Sequence, residues 1–326
     1  QRMNKAKIII TAFLLCFSFV NADDIINEYR LHGEAAVIQA LEEQLQSQAY
    51  WMDYLGNQTI EYGYSERPID LLVCDKSKKN MAIITRAHGI VNIDTVLPVI
   101  TGENNGAKHR EGDLKTPTGT YRLIEKKERV DSFYGPLALV TSYPNLYDDL
   151  MGKTGYGIWV HGMPLDDAER EQFTKGCIAL ENDALVHLAN SIDYENTLLI
   201  ISENEIDKTN REEIALVLAN LYQWRDAWKR SDLNTYIDFY ADDFIRFDGK
   251  SLAQFKKMKQ RIFQKGGNKT ILFSDFEIML YPTMLGDKVF VVSFLEDYRA
   301  ANISFLGRKE LYLRIVGDHI KILAEK

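Results

Sequence analysis

The sequence predicts a multidomain chain: a short helical N-terminal segment, a mostly-β middle domain and an α+β C-terminal domain. Three observations carry this. The 326 residues are more than one ordinary domain holds and suggest two domains with a small extra piece. Between residues 67 and 203, short apolar runs rich in Ile, Leu and Val are separated by polar turns, the pattern of strands. Beyond residue 208 the order changes to helical periodicity first and long strand-like runs last, which reads as α+β.

Met3-Asn4-Lys5-Ala6-Lys7 is a basic start, Ile8 to Val20 is apolar, and Val20-Asn21-Ala22 offers small residues for cleavage before Asp23. Residues 1–22 therefore read as a secretory signal peptide, with Gln1-Arg2 ahead of Met3 read as a cloning remnant. The run falls short of the roughly 20 apolar residues that a membrane span needs, so no membrane association is expected after cleavage. Residues 23–66 read mostly as helix, with Val37, Leu41 and Leu45 on one face. A piece this short is not stable alone. It must pack on its own chain or on a second copy, which makes residues 23–66 a candidate homodimer surface.

Within residues 67–203 the expected strands are Ile69–Cys74, Met81–Arg86, Val96–Thr101, Gly119–Glu125, Leu137–Thr141, Gly157–His161 and Thr197–Ser202. One helix is expected near Asn182–Ser191. The polar, glycine-containing stretch Gly102 to Thr118 reads as a loop bordering a site. After a charged boundary near Glu203–Asn210, helices are expected at Arg211–Arg230, Leu233–Tyr240 and Leu252–Gln264. Strands follow near Thr270–Leu280, Lys288–Ala300, Ser304–Ile315 and His319–Leu323.

Composition narrows the function. A net charge of −8 and a pI near 5.4 argue against nucleic acid as a partner, because phosphate binding is driven by clustered cations. One local exception, Lys250 to Lys269, carries seven cations and no acid. It is either a solvated helix face or a surface for anionic material. No zinc-type spacing of cysteine and histidine is present, and neither metal nor cofactor is expected.

The chemistry concentrates at Cys177. It sits in Thr174-Lys175-Gly176-Cys177, downstream of His161-Gly162-Met163. A thiol, an earlier histidine and a glycine beside the thiol are the parts of an acyl-transfer site: thiolate as nucleophile, imidazole as proton carrier, backbone N–H groups for the oxyanion. Of the other two cysteines, Cys16 lies in the signal segment and Cys74 in an apolar strand-like run, where a buried free thiol is ordinary. Cys74 and Cys177 are therefore expected to be free rather than paired. His88, His109, His187 and His319 are treated as non-catalytic.

Four motifs in order now carry a resemblance: Gly112-Asp113-Leu114-Lys115-Thr116-Pro117-Thr118-Gly119-Thr120-Tyr121, then Tyr143-Pro144-Asn145, then His161-Gly162, then Thr174-Lys175-Gly176-Cys177. Residues 67–203 resemble the L,D-transpeptidase (YkuD-like) catalytic domain, and residues 208–326 resemble the NTF2-like fold. The whole arrangement is similar to the periplasmic L,D-carboxypeptidases that set cell shape in Helicobacter and Campylobacter relatives. The resemblance implies that the Gly162 carbonyl orients His161, that the Gly176 and Cys177 amides hold the oxyanion, and that Tyr143, Met163, Thr174 and Lys175 contribute to the substrate pocket. It implies peptidoglycan stem peptides as substrate, with D-alanine cleaved from the L-centre of meso-diaminopimelate, in the periplasm. Many relatives have His where this chain has Lys175 and Arg where it has Ala179, which favours hydrolysis over cross-linking. Three readings stay open: an L,D-carboxypeptidase, an L,D-transpeptidase, and a non-catalytic wall-binding scaffold.

Overall fold

The structure, a computed structural model, describes residues 22–87, 90–166, 172–284, 286–301 and 303–326. The signal-like stretch up to residue 21, with Cys16, and also His88 lie outside the described residues. No described helix is long and apolar enough to cross a membrane.

Helices α1 (Ala22–His32), α2 (Glu34–Leu45) and α3 (Gln48–Leu55) open the chain. Gly33, at φ 83°, breaks the first pair, a backbone angle that only glycine adopts freely. The two-residue strand β1 (Tyr64–Ser65) follows. The middle domain comprises β2 (Ile69–Asp75), β3 (Asn80–Ala87), β4 (Ile90–Pro98), β5 (Gly119–Lys127), β6 (Ala138–Thr141), α4 (Leu146–Leu150), β7 (Trp159–His161), β8 (Ile178–Ala179), α5 (Asn182–Ser191) and β9 (Thr197–Ser202). Its eight strands run in the order β4-β3-β2-β9-β5-β6-β7-β8. The C-terminal domain comprises α6 (Arg211–Arg230), α7 (Leu233–Asp238), β10 (Tyr240–Arg246), α8 (Leu252–Phe263), β11 (Lys269–Tyr281), β12 (Val289–Ala300), β13 (Ile303–Val316) and β14 (His319–Glu325). Its sheet runs β1-β11-β12-β13-β14-β10.

The parallel pair β2 and β9 is apolar on both faces because both faces are covered. Leu72, Cys74, Leu199 and Ile201 point into the middle domain's core with Tyr121, Leu139, Val160 and Ile178. Leu71, Val73, Leu198 and Ile200 point the other way and pack with Met279 of β11. The two domains thus share an apolar layer, edged by buried polar pairs. Glu277 accepts from Arg67 at 2.9 Å and Arg122 at 2.6 Å, with Arg308 at 3.6 Å. Burial alone would push the Glu277 carboxyl up, but the guanidiniums, Arg122 foremost, hold it below its ordinary value.

The N-terminal segment packs on the C-terminal domain. Trp51, Leu55, Ile60 and Tyr64 join the core built around Trp224, Phe276 and Phe294. Trp51 stacks on Tyr222 with centroids 5.5 Å apart, and Glu42 pairs with Arg225 and Lys229. α6 begins with a capping box in which the Asn210 side chain accepts from Glu213 N at 2.9 Å, satisfying donors that the first turn leaves open. Two sequence boundaries move. The helix expected to reach Tyr240 ends at Asp238, and Tyr240 starts β10, where its hydroxyl donates to Glu325 at 2.8 Å. The strand expected at Val96–Thr101 lies earlier, as β4, because Val99–Thr101 leaves the sheet edge to reach the site.

Candidate active site

Cys177 stands at the end of a tight turn leading into β8. Its thiol is half-buried and donates to the Gly157 carbonyl at 3.5 Å. The turn is held by Thr174, whose hydroxyl donates to the Cys177 carbonyl at 2.6 Å and accepts from Gly176 N at 3.1 Å. Gly176 has φ 137°, and a Cβ there would lie 2.9 Å from the Lys115 carbonyl and 3.1 Å from Ile158 Cδ1. Only glycine fits that angle against that wall.

β7 pairs parallel with β8, placing His161 opposite Ala179. Leu180 N also donates to the His161 carbonyl at 2.9 Å. The imidazole therefore sits on the strand next to the one that Cys177 leads into. His161 is 1% exposed, and its Nδ1 lies 2.8 Å from the Gly162 carbonyl. A carbonyl only accepts, so Nδ1 carries the hydrogen and Nε2 is the nitrogen that exchanges a proton. Tyr134 packs edge-on to the ring at 5.1 Å. The carbonyl is fixed in turn by crowding. A Cβ on Gly162 would lie 2.2 Å from Asn182 Oδ1 and 2.9 Å from Pro136 Cδ, while Asn182 Oδ1 accepts from Met163 N at 2.8 Å.

Two loops complete the surroundings. The long loop 102–118 is rigid rather than slack. Lys76, almost fully buried, donates to the carbonyls of Gly106 at 2.8 Å and Thr116 at 3.0 Å and pairs with Glu203 at 2.6 Å. Asp113 gathers Lys108 Nζ at 2.7 Å and the amides of His109, Arg110 and Lys115. Burial would raise its carboxyl, but these donors, the Lys108 ammonium first, hold it well below the usual carboxylate range. Loop 152–157 lies alongside, with Thr154 N donating to the His109 carbonyl at 3.0 Å and Glu111 N donating to Thr154 Oγ1 at 3.1 Å.

The sequence-derived residues separate on this geometry. His161 and Gly162 lie at the end of the strand beside the one that Cys177 leads into, and Lys175 is exposed in the same turn as Cys177. Thr174 is 8% exposed with its hydroxyl engaged on both sides, so it braces the turn rather than presenting itself to a substrate. The Gly176 amide, expected to help hold the oxyanion, instead donates to that same hydroxyl. Tyr143 is buried in the core, edge-on to Tyr121, and donates to the Thr154 carbonyl at 3.0 Å. It supports loop 152–157 instead of lining a pocket. Met163 is half-buried, its amide tied to Asn182. Ala179 is fully buried and exchanges both backbone bonds with Ile100. Sequence reasoning missed Asn182, Gly157 and Tyr134, since their contacts are made across the fold. The Asn182-Asp183 start of α5 was the one visible signal.

Cys74 is fully buried and unpaired, its thiol pushed up to about 12 by burial, which leaves it inert. Among the described residues no group of three or more His, Cys, Asp or Glu is placed to hold a metal ion. The basic run at 250–269 is not one solvated face. Lys256 and Lys257 are exposed, but Lys259 turns inward over the rings of Trp228, Tyr236 and Phe255 at 4.6, 4.9 and 5.2 Å. Burial brings its ammonium down to about 8.

Residues 70–201 match the family model of the L,D-transpeptidase catalytic domain, YkuD. Residues 216–326 match that of the Cds6 C-terminal NTF2-like domain. No curated protein sequence matches the chain. Among solved structures, the helical cell shape determining protein Pgp2 from Campylobacter jejuni superposes with a TM-score of 0.82 at 38% identity, covering 86% of this chain and 99% of its own. A point variant of Pgp2 superposes with a TM-score of 0.83. Bdellovibrio bacteriovorus Bd1075 follows with a TM-score of 0.65 at 26% identity, over 82% of this chain and 96% of its own. A YkuD sheet joined to an NTF2-like domain, at 38% identity over most of both chains, establishes that the chain belongs to the family of Pgp2, with an L,D-transpeptidase catalytic domain and an NTF2-like C-terminal domain.

Proposed function

We propose that the protein is a periplasmic L,D-carboxypeptidase of peptidoglycan. It removes the terminal D-alanine from tetrapeptide stems through a thioester on Cys177, and so influences cell shape. The observation that carries the reading is the His161 Nδ1 to Gly162 carbonyl bond on the strand next to the one that the half-buried Cys177 leads into. In this mechanism Nε2 takes the thiol proton, and the imidazolium stabilises the thiolate. The thiolate attacks the carbonyl carbon of diaminopimelate, and the Cys177 N–H faces the oxyanion. The C–N bond breaks, and the imidazolium gives its proton to the departing amine. Water, deprotonated by the imidazole, then cleaves the thioester and frees the thiolate. Lys175, exposed at the turn, is the substrate-carboxylate contact of this reading, with Met163 as a further pocket residue.

Hydrolysis rather than cross-linking is supported by the small, buried Ala179 and by the likeness to a cell-shape protein over its whole length. The signal-like residues 1–22 support secretion, with a mature chain beginning near Asp23. The C-terminal domain is proposed to hold wall material near the active site, and exposed Ile26, Tyr29, Leu31 and Ile38 on α1 and α2 support a homodimer through residues 23–66. Mass analysis of wall digested after treatment with the purified protein tests the reaction. Tripeptide stems at the expense of tetrapeptides support the carboxypeptidase. New cross-links would instead make it a transpeptidase, and an unchanged profile a scaffold.

A further inference from the structure

The C-terminal domain reaches α4 of the catalytic domain through Tyr281 and Tyr312, whose rings both pack on Tyr147. Tyr281, at the end of β11, is 2% exposed and crosses the interface. Its hydroxyl donates to Asp148 Oδ1 at 3.0 Å and accepts from Asn145 Nδ2 at 3.1 Å. The catalytic sheet makes room for it: a Cβ on Gly119 would lie 2.7 Å from that hydroxyl. Burial, and then the Asp148 charge, push the phenol well above its ordinary value, so it remains a donor. Asp148 is fully buried on α4. It holds Lys153 twice, by its Oδ1 on Nζ at 2.6 Å and by its carbonyl on the Lys153 amide at 2.9 Å. Lys153 begins the stretch in which Thr154 receives Tyr143 and Glu111 and Gly157 receives the Cys177 thiol.

We infer that Tyr281 is a positioning residue for the Cys177 chemistry, supplied by the NTF2-like domain and acting through Asp148 and Lys153 on the loop that carries the Gly157 carbonyl. This rests on the reading of Cys177 as the nucleophile. Its physical content is that the thiol's resting orientation is set by a carbonyl, that the carbonyl's place is set by loop 152–157, and that the loop is anchored from the other domain. A shift near 1 Å in such a group can cost up to about a hundredfold in rate without touching binding.

The test uses the full chain with Tyr281→Phe, which removes one hydroxyl, and Lys153→Met, which breaks the same relay inside the catalytic domain. Tyr312→Phe is the control. Tyr312 packs in the same aromatic cluster but donates to Glu310 at 2.9 Å, away from the relay. Two readouts are taken: kcat and KM on a soluble tetrapeptide muropeptide, and the pH dependence of Cys177 alkylation by iodoacetamide. Both relay variants are expected to lose about tenfold in kcat with KM within about twofold, and to shift the alkylation profile, while Tyr312→Phe matches the wild type. Wild-type alkylation profiles in both relay variants, a change in KM alone, or equal damage from Tyr312→Phe would overturn the inference. Should Tyr281→Phe fail to fold, Lys153→Met decides by the same criteria. A wild-type protein that alkylates at Cys177 yet cleaves no tetrapeptide would refute the proposed reaction, while the alkylation comparison still judges the relay.

Discussion

Thr174→Val separates two roles for a residue that the motif alone places in the substrate pocket. Valine keeps the volume but removes the hydroxyl that donates to the Cys177 carbonyl at 2.6 Å and accepts from the Gly176 amide at 3.1 Å. Both backbone groups then lose their partner in a site only 8% exposed. An unsatisfied buried backbone group costs about 1–3 kcal/mol. Because the two share one hydroxyl and sit near the surface, the expected total is about 2–4 kcal/mol. For a domain of this size that lowers the melting transition by about 5–15 °C, readable by calorimetry. Activity should fall through kcat, because the turn that aims Cys177 loosens, with KM nearly constant. A variant with unchanged melting and a raised KM would refute the bracing role and return Thr174 to the pocket wall.

Five other outcomes are expected. Cys177→Ala should abolish product while leaving the melting transition in place, and His161→Ala should cost about 10²–10⁴ in rate, both measured on muropeptides by mass analysis. Gly162→Ala forces a Cβ to within 2.2 Å of Asn182 Oδ1, so the carbonyl on His161 Nδ1 must move, and kcat should drop about a hundredfold in the same assay. Asp113 has a folded pKa below its unfolded value. Its stabilisation is therefore complete above about pH 4 and lost as pH falls further, and the melting gap between wild type and Asp113→Asn should narrow only below that pH. Lys259 is lowered to about 8, so burial of its ammonium opposes folding below that pH and the penalty fades as pH rises toward the ordinary value of about 10.4; its side-chain NMR signal should titrate near pH 8.

The sequence made the strands and helices legible where burial is one-sided or capping is local. α5 spans Asn182–Ser191 and α6 spans Arg211–Arg230 as the periodicity and charged flanks required. Cys177 and His161 stood out as a thiol and an earlier imidazole with a glycine beside the thiol, while the part of the Gly162 carbonyl came only from the family resemblance. The rest was hidden for a physical reason. Thr174, Tyr143 and the Gly176 amide have side chains or donors suited to a ligand, and only the folded turn shows that each is already engaged. α4 was missed because five residues are too few for periodicity, although Asn145 and Asp148 form its capping box. Lys259 reads as surface charge by composition, yet the aromatic rings around it come from α6, α7 and α8.

The doubly buried pair β2 and β9 explains why the two domains act as one structure. A sheet face lined by Leu71, Val73, Leu198 and Ile200 cannot stay in water without cost, at about 25 cal/mol for each Å² of apolar surface. Met279 covers it, and the chain flanking Met279 supplies the polar rim: Glu277 to the arginines two residues before, Tyr281 to Asp148 two residues after. Alternation along one strand thus sends Glu277, Met279 and Tyr281 to the same side, toward the catalytic domain. One edge of β11 buries the apolar face, neutralises Arg67 and Arg122, and anchors α4. The N-terminal segment reinforces the same strand, since Tyr64 and Ser65 pair with Ile278 and Glu277. Chain entry, domain interface and catalytic loop therefore converge on β11, and a change in that strand is felt at Cys177 through packing rather than through any contact with substrate.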